Sequence, residues 1–158
     1  MRAPIDPRAP FYVQVTPGQD LPALPVQAAF RAVIVADAAV SAEHQSSVCD
    51  WLVGAGCLYA MSWGINASAW DDAMDMANLA CFGFGDVPPQ AFVMTTWHDE
   101  ESLSEVFDFA IRCANHPVEP LDELIVVHVA EQPAEERLQQ AFSDGLQIAE
   151  AAMSSRST

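Results

Sequence analysis

The sequence predicts an α/β fold: one three-layer α/β/α domain whose four-stranded, mainly parallel sheet carries helices on both faces. Two observations carry this. Short apolar runs at 32–36, 57–61, 91–95 and 124–129 have the near-continuous hydrophobicity of strands buried on both faces. The stretches between them, and the one after the last, place apolar residues at helical spacing. Right-handed crossovers leave few arrangements, and a flavodoxin/Rossmann-like order 2-1-3-4 is expected, counting strands from residue 32.

The chain divides into a proline-rich N-terminal arm at 1–29, an α/β domain at 30–152 and a disordered tail at 153–158. Six prolines between Pro4 and Pro25 forbid a helix in the arm and favour extended chain. Its one strand candidate is Phe11-Tyr12-Val13-Gln14-Val15, closed by Pro17-Gly18. Asp37 ends the first core strand, and Ser41 caps a helix with Val48, Trp51, Leu52 and Ala55 on one face. Cys57–Met61 follows, then Ser62-Trp63-Gly64-Ile65-Asn66. Ser68 with Asp71 suggests a capping box for a helix whose inward stripe is Trp70, Ala73, Met74, Ala77, Ala80, Cys81 and Phe84. Asp71, Asp72 and Asp75 read as a solvated helix start favoured by the helix dipole. Pro88-Pro89 blocks continuation. The next helix shows Leu103, Val106, Phe107, Ala110 and Cys113 on one face, and Pro133 opens the last.

Composition excludes several chemistries. There are 22 acidic residues and six basic ones, all arginine, giving a net charge of −16. Without lysine there is no P-loop lysine and no lysine Schiff base. Such a charge also opposes nucleic-acid backbones. No stretch reaches the ~18–20 apolar residues of a membrane span, and no secretory signal pattern opens the chain. Cys49, Cys57, Cys81 and Cys113 form no C-x-x-C pair and read as small buried hydrophobes in a reducing cytoplasm. No cofactor and no metal is implied.

Two G-x-G pairs, Gly54/Gly56 and Gly83/Gly85, close helices and precede strands, the reverse of a nucleotide-binding loop. Ala60-Met61-Ser62-Trp63-Gly64 resembles a nucleophile elbow, and Ser62, Asp99 and His128 fall in the chain order of α/β-hydrolases. The helix start beyond Asn66 argues against that reading. With His98 added, these residues make the alternative reading of a small hydrolase or metal-assisted enzyme. The ligand- or partner-binding set is Asp37, Trp63, Trp97, His98 and His128, expected to line one cleft at the carboxyl edge of the sheet. Trp63 and Trp97, placed in loops after strands, offer an aromatic wall there.

Cys57-Leu58-Tyr59, Trp63-Gly64, Trp70-Asp71-Asp72 and Met94-Thr95-Thr96-Trp97-His98-Asp99-Glu100 resemble motifs of a family of small uncharacterised bacterial proteins. The resemblance spans roughly residues 30–130 and implies a bacterial origin without transferring any catalytic residue. The leading expectation is an acidic, non-enzymatic binding protein acting through a protein partner or as a homodimer. Phe11, Tyr12 and Phe109 are the apolar side chains expected to remain at its surface.

Overall fold

The computed structural model describes residues 9–26 and 28–155. Five strands form one sheet: β1 (Phe11–Val15), β2 (Phe30–Ala36), β3 (Cys57–Gly64), β4 (Met94–His98) and β5 (Glu123–Val129). Four helices accompany them: α1 (Ala42–Ala55), α2 (Ala67–Ala80), α3 (Leu103–Arg112) and α4 (Glu135–Ser155). A 3-10 turn, Pro89–Ala91, precedes β4. No helix among these residues is long and apolar enough to cross a membrane.

Alternation along β2 decides the layers. Ala32, Ile34 and Ala36 face α1 and α2, meeting Val48, Leu52, Trp70 and Met74. Val33 and Val35 face the other way, among Val106 and Phe107 of α3 and Leu138 and Phe142 of α4. Every pairing in the sheet is parallel, as the apolar runs predict.

The strand order is β1-β5-β2-β3-β4, which corrects the expected four-stranded order 2-1-3-4. α1 and α2 lie on one face, so the sheet grows in one direction from β2 through β3 to β4. α3 then returns over the opposite face and delivers β5 to the free side of β2. The fifth strand comes from the arm: β1 pairs along β5 from Phe11↔Ile125 to Val15↔Val129. Counted from β2, this is 3-2-1-4, the other doubly wound order. The tail region expected at 153–158 is helical as far as Ser155, and its remainder, like Met1–Arg8, lies outside the described residues.

The third apolar run also shifts. The strand begins at Met94 rather than Ala91 because Asn78, buried on α2, takes the backbone on either side of Phe92. Its amide donates to the Ala91 carbonyl at 3.0 Å and its carbonyl accepts from Val93 N–H at 3.0 Å. Trp97 and His98 therefore belong to β4, and Trp63 to β3, not to the loops after them.

Local signals set most helix ends. Ser41 accepts from the His44 amide, and Gly56 closes α1 in the left-handed conformation with φ 109°. The capping box belongs to α3, where Ser102 and Glu105 satisfy each other's backbone. α2 instead starts from Asn66 at φ 57° with no side-chain cap, so Ser68 lies inside the helix. Cys49 and Cys57 are buried as expected, whereas Cys81 and Cys113 are exposed, both just past helix ends.

Two glycines test the packing with one substitution. A Cβ on Gly145 of α4 would stand 2.6 Å from Phe107 Cβ and 2.6 Å from the Ser104 carbonyl, where α3 and α4 touch. A Cβ on Gly54 of α1 would meet nothing within 4 Å. Gly145→Ala is expected to destabilise by about 1–3 kcal/mol, and Gly54→Ala to stabilise by about 0.5–1 kcal/mol through helix propensity. Urea denaturation of both variants checks the opposite signs.

Candidate functional site

Strand register fixes what the carboxyl edge can bring together. Gln14, His128, Val35, Trp63 and His98 are successive partners across β1, β5, β2, β3 and β4. His128 and His98 thus share a face but stand three strands apart, about 14 Å at the usual strand spacing. The five residues of the binding set form two groups, not one cleft.

The first group lies between β2 and β5, where the sheet changes its direction of growth. In doubly wound sheets this switch point is the usual ligand position. His128 Nε2 lies 2.6 Å from Asp37 Oδ2. Its Nδ1 lies 2.7 Å from the Tyr12 hydroxyl, which also accepts from the Ala134 N–H at 3.1 Å. Arg137 completes the group with an ion pair to Asp37. Each ring nitrogen of His128 thus has one partner, the Asp37 carboxylate accepting from Nε2 and the Tyr12 hydroxyl bonded to Nδ1. The His128 side chain is 1% exposed and Asp37 32%, so the carboxylate and Arg137 form the solvent-facing end. Burial pushes the Tyr12 phenol above its ordinary pKa, which suits a proton donor in a hydrogen bond rather than a phenolate nucleophile.

The second group closes the β3–β4 end. Trp63 Nε1 donates to the Glu101 carbonyl at 2.8 Å. His98 places Nδ1 3.3 Å from Glu101 Oε1 and Nε2 2.9 Å from Thr96 Oγ1. Its ring meets Phe109 edge-on at 5.0 Å. Nδ1 thus holds the turn that leads into Ser102 and α3, while Nε2 bonds a neighbour within β4. Trp97 points to the other face of β4 and is 52% exposed.

The alternative catalytic set is not assembled. Ser62 pairs with Ile34, on the face covered by α1 and α2, and is fully buried. His128 lies on the face covered by α3 and α4 and is committed to Tyr12 and Asp37. A hydroxyl and an imidazole on opposite faces cannot exchange a proton, which requires hydrogen-bond reach. Asp99 is exposed beyond β4. At the opposite, amino edge an apolar pocket is lined by Val53, Leu58, Phe82, Ala91 and Val93 together with Cys57. Burial raises the Cys57 thiol to about 12, so it offers no thiolate nucleophile.

Sequence reading misses two features. Tyr12 and Arg137 complete the switch-point group, and only the pairing of β1 with β5 and the start of α4 bring them there. Asp71 is the other. It is 5% exposed, not solvated, and burial before its neighbours Asp75 and Asp72 raises its carboxyl pKa, while Thr95 and His98 act the other way. Its position was legible. The buried residues of α2 are Ala67, Trp70, Asp71, Met74, Ala77 and Asn78, and Asp71 and Asn78 extend the same inward stripe.

The model of a family described as Domain of unknown function (DUF7684) covers residues 10–145. It takes in β1, so the part of the arm that joins the sheet lies within the matched span. No curated protein and no solved structure matches.

Tyr12→Phe removes the hydroxyl that serves both His128 Nδ1 and the Ala134 amide. The expected loss is about 1–3 kcal/mol, the cost of buried polar groups left without partners. Chemical denaturation measures it, and hydrogen exchange should show β1 amides losing protection before those of β2.

Proposed function

We propose that this chain, which belongs to the DUF7684 family, is a non-enzymatic binding protein that takes an extended, basic segment of a partner protein along the free side of β4. The observation that carries this reading is the character of that edge. β4 is the last strand of the sheet and pairs only with β3. Edge strands are ordinarily protected by lysine, proline or inward charge. Met94-Thr95-Thr96-Trp97-His98 has none of these, and His98 is turned inward. Trp97 is more than half exposed, and Phe92 and Phe84 are exposed nearby in sequence. Strand addition supplies affinity through main-chain hydrogen bonds and specificity through alternate side chains.

Charge selects the occupant. Asp75 accepts from Thr95 of β4 at 2.8 Å, and the exposed Asp99 and Glu100 follow the strand directly. A second copy of the chain would bring −16 against −16, whereas a lysine- or arginine-bearing strand meets complementary charge. Of the apolar residues expected at the surface, Phe11 is 44% exposed, while Tyr12 and Phe109 pack on the core. The separation of Ser62 from His128 favours binding over the hydrolase alternative. We place the protein in a bacterial cytoplasm, since its motifs resemble bacterial ones and its four cysteines are free thiols.

Selection of displayed nine-residue peptides on the immobilised protein tests this reading. Enriched peptides are expected to alternate β-branched residues with lysine or arginine and to weaken as salt rises. Trp97→Ala should reduce their affinity about thirtyfold, the scale of a hot-spot aromatic. Enriched peptides that bind Trp97→Ala equally would overturn it. So would a stable dimer, seen by light scattering, that Trp97→Ala dissociates.

A further inference from the structure

Asp71, Asp72 and Asp75 stand on the part of α2 nearest β4, where Thr95 bonds Asp75. One carboxylate oxygen from each lies within 4.8 Å of those of the other two. Asp72 and Asp75 are exposed, as surface acids commonly are. Asp71 differs, because it is buried and its Oδ1 has no hydrogen-bond partner. A carboxylate taken out of water needs a counter-charge or a full set of donors. The described arginines are engaged elsewhere: Arg112 with Asp108, Arg137 with Asp37, and Arg31 with the Ala110 carbonyl.

We propose that Asp71, Asp72 and Asp75 together hold one oxygen-preferring divalent cation of Ca²⁺ size. Such an ion holds carboxylate oxygens at about 2.3–2.6 Å, so three oxygens this close to one another reach a common centre with small side-chain rotations. The donor set is oxygen alone, which excludes the softer metals that select thiolate or imidazole. The buried Asp71 anchors the ion, whose charge offsets the cost of its burial beyond what Thr95 and His98 supply. The exposed Asp72 and Asp75 leave the remaining positions to water. A short helical segment carrying three of the ligands makes a site of modest affinity, with a Kd on the order of 10⁻⁴ M. The inference stands apart from partner docking, since cation binding is read on the protein alone.

The full chain, stripped with EDTA and kept near physiological ionic strength, is titrated with CaCl₂ by calorimetry and with MnCl₂ by electron paramagnetic resonance. One saturable site per chain is expected, weakened at least tenfold in Asp71→Asn and in Asp75→Asn. Asp99→Asn removes the same charge away from the cluster and should bind as the parent does. Ca²⁺ should raise the Tm of the parent chain but not that of Asp71→Asn. Absence of saturable binding overturns the proposal. Equal weakening in all three variants also overturns it, because it identifies a diffuse counter-ion atmosphere around an acidic protein.

Discussion

Burying an imidazole is costly unless its ring nitrogens find partners, and the arrangement of this protein depends on how that requirement is met at His128. β5 is buried on both faces for nearly its whole length, so His128 has no water to turn to. One nitrogen finds Asp37, the residue that follows β2, and the other finds Tyr12 on β1. Each bond crosses between strands far apart in sequence. Together they lock the order β1-β5-β2 at its carboxyl end, and Arg137 and the Ala134 amide tie the start of α4 into the same group. The switch point of the sheet, where doubly wound proteins usually keep a ligand, here carries the linked side chains of Tyr12, His128, Asp37 and Arg137.

The other end of the sheet is built differently. β4 lacks the two-sided burial of β2 and β5, and its residues are mostly half-exposed. Helix α2 lies over one side of it and contributes Asn78, Asp71 and Asp75 at successive levels. Asn78 clamps the chain before β4 by two backbone bonds, and Asp75 engages Thr95. Asp71 is the member of that stripe whose oxygen meets no donor. The acidity of the chain is therefore not uniform decoration. On the switch-point side a carboxylate is neutralised by arginine and histidine, while beside β4 carboxylates gather without a cationic side chain from the described arginines.

Much was legible in the residues themselves. Continuous apolar runs such as Leu124-Ile125-Val126-Val127 can only be buried parallel strands, and helical stripes such as Leu103, Val106, Phe107 and Ala110 fix the covering helices. Ser41 and Gly56 marked helix ends through local hydrogen bonds and a left-handed φ, which depend on near neighbours alone. The polarity of Met94-Thr95-Thr96-Trp97-His98 was a sign of an edge strand, since a strand buried on both faces does not carry two threonines and a tryptophan. Reading the strand three residues early hid this by including Phe92 and Val93.

The sequence by itself determined the α/β class, the parallel sense of the strands, most of the helices and the amphipathic faces, because these follow from periodicity within a few turns of chain. Tertiary structure alone decided the strand order, the recruitment of β1 and the composition of the site. Strand order is set by which helix crosses which face, and β2, β3 and β5 are too similar in hydrophobicity for composition to rank them. Whether His98 and His128 meet depends on how many strands lie between them, a count that no local pattern records. The burial of Asp71 was written in its spacing from Trp70 and Met74. What that burial means emerged only when α2 was laid against β4 and Oδ1 was left without a donor.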